Sequence, residues 1–384
     1  MDIRRFTVDV PEHVLTDLND RLARTRWPDE IEGAGWEYGV DRSYLLDLAE
    51  HWQDQFSWRD QEQALNALPH FKATIDGLSI HFVHARATAP NALPLILTHG
   101  WPGSFMEMVE LIPRLTNPER DGGDVRDAFD VVIPSLPGYG FSDRPTAPGM
   151  TPARIAEMWH ALMQALGYLR YGAQGGDWGA SVATRLAMQH PAEVLGIHLN
   201  YIPGSYVPYL GQGSRELDVE ERGFLDAAKL WTDQEGAYAH LQSTRPQTAT
   251  YSLNDSPVGL LAWIVEKLRD WSDCGGQVER RFTRDVLLAN VTLYWITQTI
   301  GSSMRLYKEA RAAPLRFSRD EKVPVPCGVA HFPVEAPMPP RSWVERHYDV
   351  QRWTAMPSGG HFAALEEPKR LAEDIRDFFR PFRR

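Results

Sequence analysis

Apolar positions in this chain first recur at helical spacing and then gather into short solid runs, and the change of rhythm marks two kinds of structure. Near the start, Val14, Leu15, Leu18 and Leu22 share one helical face before Trp27-Pro28 stops it. A looser stretch over residues 30–40 follows, and the spacing predicts a second helix from 44 to about 56. Alternating apolar runs at 71–75 and 78–85 flank Asp76-Gly77. That dipeptide supplies the positive φ angles of a two-residue hairpin turn, so the two runs are predicted to pair as antiparallel strands.

From Pro94 the rhythm becomes α/β. Leu95-Ile96-Leu97-Thr98 and residues 129–133 read as buried parallel strands. Thr151-Pro152 opens a helix as cap and first-turn proline. Ile155, Met158, Trp159, Leu162, Met163 and Leu166 form its apolar stripe, and Gly167 closes it. A strand at 169–173, a helix at 180–189 ended by His190-Pro191, and a strand at 194–199 come next. Strands alternating with helices in this way predict a mostly parallel sheet covered on both faces. The pattern breaks between 203 and 313, which reads as helical and aromatic. One helix is predicted there from 257 to 271, capped by Asn254 or Asp255. Strands return at 323–332 and 350–354, and a last helix at 367–379 carries Leu371, Ile375, Phe378 and Phe379 on one face. The expected organisation is an N-terminal meander with the start of the sheet (1–90), a core in two parts (91–202 and 314–384), and a helical cap inserted between them (203–313).

Composition narrows the function. A net charge of −11 argues against a nucleic-acid binder, whose footprint is a basic face. Cys274 and Cys327 are the only cysteines; they make neither a disulfide framework nor a zinc spacing, which suits a reducing cytoplasm. No apolar signal core opens the chain and no run approaches ~20 apolar residues, so neither export nor a membrane anchor is predicted. No motif calls for a metal or cofactor. Tryptophan is plentiful, with 13 residues, as aromatic-lined pockets require.

The chemistry gathers at Gly175-Gly176-Asp177-Trp178-Gly179, between a predicted strand and a predicted helix. This reads as a nucleophile elbow with aspartate where such turns usually carry serine. The plainer alternative is an aspartate capping the helix. A carboxylate needs no base to attack, and it can open a strained or halogen-bearing carbon to give an alkyl ester. His99-Gly100-Trp101-Pro102-Gly103 follows the first parallel strand, where such hydrolases keep one oxyanion-hole N–H; Trp101 can supply it, and Trp178 the other. Gly359-Gly360-His361-Phe362 sits past the last strand, which makes His361 the histidine of the set. Glu335 is the supporting acid, with Asp349 as fallback and Glu345 read as a solvated helix residue. Opening an epoxide also needs a hydrogen-bond donor for the ring oxygen, a task for tyrosine; Tyr238 and Tyr307 are two of several candidates that composition does not separate.

Taken together these residues resemble the microsomal-type epoxide hydrolases of the α/β-hydrolase superfamily. The Trp27-Pro28 meander, residues 99–103, 175–179, 254–259 (NDSPVG), 306–309 (LYKE) and 359–368 (GGHFAALEEP) carry the resemblance over nearly the whole chain. It implies an α/β-hydrolase fold and hydrolysis of an epoxide to a vicinal diol through a covalent ester. It further implies Asp177 as nucleophile, Glu335 and His361 as the water-activating pair, and Tyr238 and Tyr307 as the epoxide clamp. Partners would be a bulky hydrophobic or aromatic epoxide and water; a homodimer is compatible with this reading. The rival enzyme is a haloalkane dehalogenase with the same aspartate, and the rival of another class is a non-catalytic ligand-binding relative.

Overall fold

A computed structural model describes residues 1–383. Nine strands form one sheet in the order β1-β2-β3-β5-β4-β6-β7-β8-β9. They are β1 (Ile3–Arg5), β2 (His70–Ile75), β3 (Leu78–Ala85), β4 (Leu93–Thr98), β5 (Phe129–Pro134), β6 (Tyr171–Gly175), β7 (Val194–Leu199), β8 (Pro326–His331) and β9 (Asp349–Ala355). The first three and the β3–β5 pair are antiparallel, and every pairing from β5 through β9 is parallel. Asp76 and Gly77, at φ +49° and +79°, make the hairpin turn that the sequence predicts. β4 lies between β5 and β6, so its C-terminal loop opens beside the elbow that follows β6.

Helices α1 (Glu12–Ala23), α2 (Arg42–Asp54) and α3 (Trp58–Asn66) precede the hairpin. The core helices are α4 (Leu111–Thr116), α5 (Pro152–Ala165) and α6 (Asp177–Gln189). Thr151 caps α5 by accepting from the Arg154 N–H, and the apolar stripe read from the sequence is buried from Ile155 to Met163. Six helices separate β7 from β8: α7 (Val219–Glu235), α8 (Ala237–Thr244), α9 (Pro246–Leu253), α10 (Pro257–Asp270), α11 (Arg284–Thr297) and α12 (Ile300–Ala312). Short α13 (Arg341–Val344) and α14 (Ala363–Glu366) precede the closing helix α15 (Pro368–Phe379).

Four local expectations need correction. The strand entering the elbow starts at Tyr171, not 169: Gly167 at φ +87° turns the chain, and Leu169 stays 71% exposed before the sheet begins. The helix leaving the elbow begins at Asp177 itself. Ser256 caps α10, accepting from the Gly259 N–H, while Asp255 instead receives the Arg21 guanidinium. The strand expected over 323–332 is confined to Pro326–His331. Elements without a signal in the sequence include three-residue β1, α3 with its Ser57 cap, and short α4 and α14.

Candidate active site

The site is assembled at the C-terminal ends of the parallel strands, where an α/β sheet presents its loops. Asp177 sits at φ +45°, a left-handed conformation that costs a non-glycine residue strain. The turn is tight enough that its neighbours must be small. A Cβ on Gly179 would strike the Thr98 carbonyl on β4, and a Cβ on Gly100 would overlap the Asp177 side chain. The loop after β4 can therefore lie directly on the carboxylate, and the Trp101 N–H donates to Asp177 Oδ1 at 2.8 Å. The Trp178 N–H lies in the first turn of α6, where backbone donors have no intrahelical acceptor.

On the other side of the carboxylate, His361 Nε2 is 3.5 Å from Asp177 Oδ2. His361 Nδ1 lies 2.5 Å from Glu335 Oε1, which also accepts the Ala336 N–H. Glu335 follows β8 in a segment where Val334 bridges to Gly360, so two adjacent loops are stitched together just where the pair forms. The Glu335 side chain is 1% exposed. Asp349 opens β9 at the opposite end of the sheet, and Glu345 is exposed and paired to Arg341. Burial pushes His361 down, but Glu335 and Asp177 outweigh it and hold the imidazole well above its usual range. Burial raises Glu335, with His361 pulling the other way.

Tyr238 on α8 and Tyr307 on α12 meet over the carboxylate. Their rings are 5.9 Å apart and nearly perpendicular. Trp101 stacks flat on Tyr238 at 5.3 Å, and Trp178 stands edge-on to Tyr307 at 4.7 Å. Burial first, then Asp177 for Tyr238 and Tyr238 for Tyr307, push both phenols above their ordinary range, so both remain O–H donors at neutral pH. With Asp177 they line a cavity of about 760 Å³ that Tyr206, Phe224, Trp231 and Trp343 enclose. Trp263, Trp271, Tyr294 and Trp295 are not among its lining residues. Trp271 packs 5.2 Å from His361, Tyr294 bonds the Gly103 carbonyl, Trp263 bonds Gln242, and Trp295 is buried in the core.

One further residue escaped sequence reasoning. Glu107 lines a small chamber of about 10 Å³ together with Asp177, Asn200 and His361. That is room for one water molecule. Burial pushes the Glu107 carboxyl up to about 8, with His361 opposing and Asp177 adding to the rise. No sequence signal marked it; in the structure a Cβ on Gly103, four residues earlier, would overlap the Glu107 carboxylate. Among the described residues no cluster of three His, Cys, Asp or Glu could hold a metal, and no helix is long and apolar enough to cross a membrane.

The family profile "Epoxide hydrolase N terminus" matches residues 3–108, and "alpha/beta hydrolase fold" matches 94–210. Epoxide hydrolase 1 of Sus scrofa is 38% identical over 400 residues, covering 98% of this chain and 88% of its own. The crystal structure of juvenile hormone epoxide hydrolase from Bombyx mori superposes with a TM-score of 0.85 at 33% identity, covering 100% of this chain and 94% of that one. The Aspergillus niger epoxide hydrolase structure gives 0.86 at 30% identity, covering 99% and 97%. The chain therefore belongs to the epoxide hydrolases of the α/β-hydrolase fold.

Proposed function

We propose that Asp177 opens the epoxide and that the resulting ester is hydrolysed by water activated at His361. The observation that carries this is the two-sided surrounding of one carboxylate. Backbone N–H and imidazole hold it from below, and two protonated phenols face the same cavity above. Asp177 attacks a ring carbon while Tyr238 and Tyr307 donate to the departing oxygen, leaving a hydroxyalkyl ester. Ester formation removes the Asp177 charge, one of the two that hold His361 protonated, so the imidazolium proton is lost more readily, to the new alkoxide, and a neutral imidazole is available when a base is needed. A water in the small chamber, held by His361 and Glu107, then attacks the ester carbonyl. Trp101 and Trp178 N–H groups stabilise the oxyanion, and His361 returns the proton to release a vicinal diol. The cavity's size and its aromatic enclosure favour a bulky hydrophobic or aromatic epoxide, of biosynthetic or foreign origin. Residues 203–313 act as the cap that carries both tyrosines. Buried, unpaired Cys274 and Cys327 suit a cytoplasmic setting.

The test is a single turnover in oxygen-18 water. Attack on the ester carbonyl leaves label in the Asp177 carboxylate, found by peptide mass analysis. Label confined to the diol means direct attack of water on the epoxide and removes the covalent scheme. In His361→Gln the ester accumulates, seen as a mass increase of one substrate.

A further inference from the structure

Adjoining the small chamber, and lined by neither Asp177 nor the two tyrosines, lies a second cavity of about 280 Å³. Leu65 and Leu68 at the end of α3, Leu268, Phe282, Leu287 and Phe362 form its walls. Ala64 and Val286, both exposed, stand at its edge. Glu107 lines this cavity as well as the small chamber beside His361, and Phe362 does the same. The two residues are thus a shared wall between an apolar pocket and the hydrolytic centre. Phe362 also stands edge-on to the His361 ring at 5.1 Å.

The volume selects the size of an occupant. An apolar cavity of ~150 Å³ holds benzene, so this one admits a single ring with a short side chain. The walls are largely apolar, with Gln61, Glu110 and Asn290 as the other polar lining residues, and burying a charge among them is costly. A carboxyl at the inner end offers a neutral guest one directed hydrogen bond, and a hydroxyl can both donate and accept it. We propose that this cavity is a second ligand site, for a neutral alcohol of about one aromatic ring whose hydroxyl bonds the Glu107 carboxyl. The diol product of a small aryl epoxide has that chemistry, so the site provides for product feedback separate from competition at the tyrosines. The feedback rests on the reading of Glu107 as a holder of the hydrolytic water; occupancy of the cavity does not.

The probe is 1-phenylethanol, which has no epoxide to consume. Methyl-labelled Leu and Val in the full-length protein report the cavity through Leu65, Leu68, Val286 and Leu287. Saturable shifts at these methyls are expected, and those of Leu65, Leu68 and Leu287 should vanish in Val286→Trp, which fills the cavity edge without touching the reacting groups. Ala64→Trp serves as a second plug should the first variant fold poorly. Absence of saturable shifts in the wild type, or their persistence in folded plugged variants, overturns the site. In steady state the alcohol should lower kcat in the wild type and lose that effect in the plugged variants, while any competitive component remains. Shifts without an effect on kcat uphold the site and overturn instead the role given to Glu107.

Discussion

Glu335→Gln separates the two chemical steps. The carboxylate is buried, accepts from His361 Nδ1 at 2.5 Å and from the Ala336 N–H at 2.8 Å through the same oxygen, and leaves Oε2 without a partner. Glutamine keeps the volume and can present its amide oxygen to both donors, with the new NH₂ replacing the unpartnered Oε2. What is lost is charge. A hydrogen bond to an ionised group contributes ~1.5–3 kcal/mol and a neutral one ~0.5–1.5, so the difference is about 1–2 kcal/mol. It falls on states in which His361 is cationic, chiefly the transition state of ester hydrolysis. At 1.36 kcal/mol per factor of ten, hydrolysis should slow roughly 5- to 30-fold. Alkylation, in which Asp177 needs no base, should change little. Trp101 and Trp178 flank Asp177, so stopped-flow tryptophan fluorescence follows the two phases separately. An alkylation rate that falls as far as the hydrolysis rate refutes the reasoning, as does a variant in which neither changes.

Tyr307→Phe and Tyr238→Phe should each raise the alkylation barrier by ~1–3 kcal/mol, and the double variant should be nearly inert toward epoxides while folded; pre-steady-state alkylation at the wild-type rate in the double variant removes the clamp. Gly100→Ala places a methyl in the Asp177 side chain, and a misplacement of ~1 Å can cost ~100-fold in rate; circular dichroism should show a folded protein whose alkylation is slowed on that order, and wild-type alkylation contradicts the close approach. Glu107, pushed up to about 8 from an unfolded value near ~4.3, binds a proton in the native state that the unfolded chain releases. Its contribution is therefore present below the unfolded value and is lost as pH rises toward 8. Thermal unfolding of Glu107→Gln should decline less than wild type between about pH 5 and 8, and parallel curves would show that the carboxyl is not perturbed.

The elements most legible in the sequence were those in which one face is forced. The stripe from Ile155 to Met163 and the solid run Leu95-Ile96-Leu97 each bury a surface that no other pattern would bury, and both appear as read. Boundaries were less legible because they depend on partners distant in sequence. Leu169 has the character of a strand residue but precedes the point where Tyr171 finds the Glu193 carbonyl. Asp255 is as good a cap as Ser256 by type; Arg21, 234 residues away, engages it. The three residues of β1 carry no period at all and are a strand only because β2 offers an edge. The reacting groups divide in the same way. Local backbone demands betray Asp177 and Gly100, whereas Tyr238 is one of 13 tyrosines until α8 and α12 bring it against Tyr307.

Charge links these parts into one cycle in the proposed mechanism. In the resting site four titratable groups, Asp177, His361, Glu335 and Glu107, crowd one small volume. The two carboxylates exceed the one imidazolium by a negative charge, and burial, with Asp177 adding to it, keeps the third carboxyl protonated. Alkylation deletes one negative charge without moving an atom of His361. The imidazolium is then left with Glu335 alone, its proton becomes easier to lose, and Glu107 loses the repulsion of Asp177. Both changes favour a water that is polarised between His361 and Glu107. Hydrolysis restores the Asp177 charge and resets the pair. Switching by charge requires that the site remain dry enough for each carboxylate to be felt by the others. The 1% exposure of Glu335 and the tight closure of Gly100 on Asp177 serve that requirement, and an opening that hydrates the pair should blur the two steps as surely as a lost side chain.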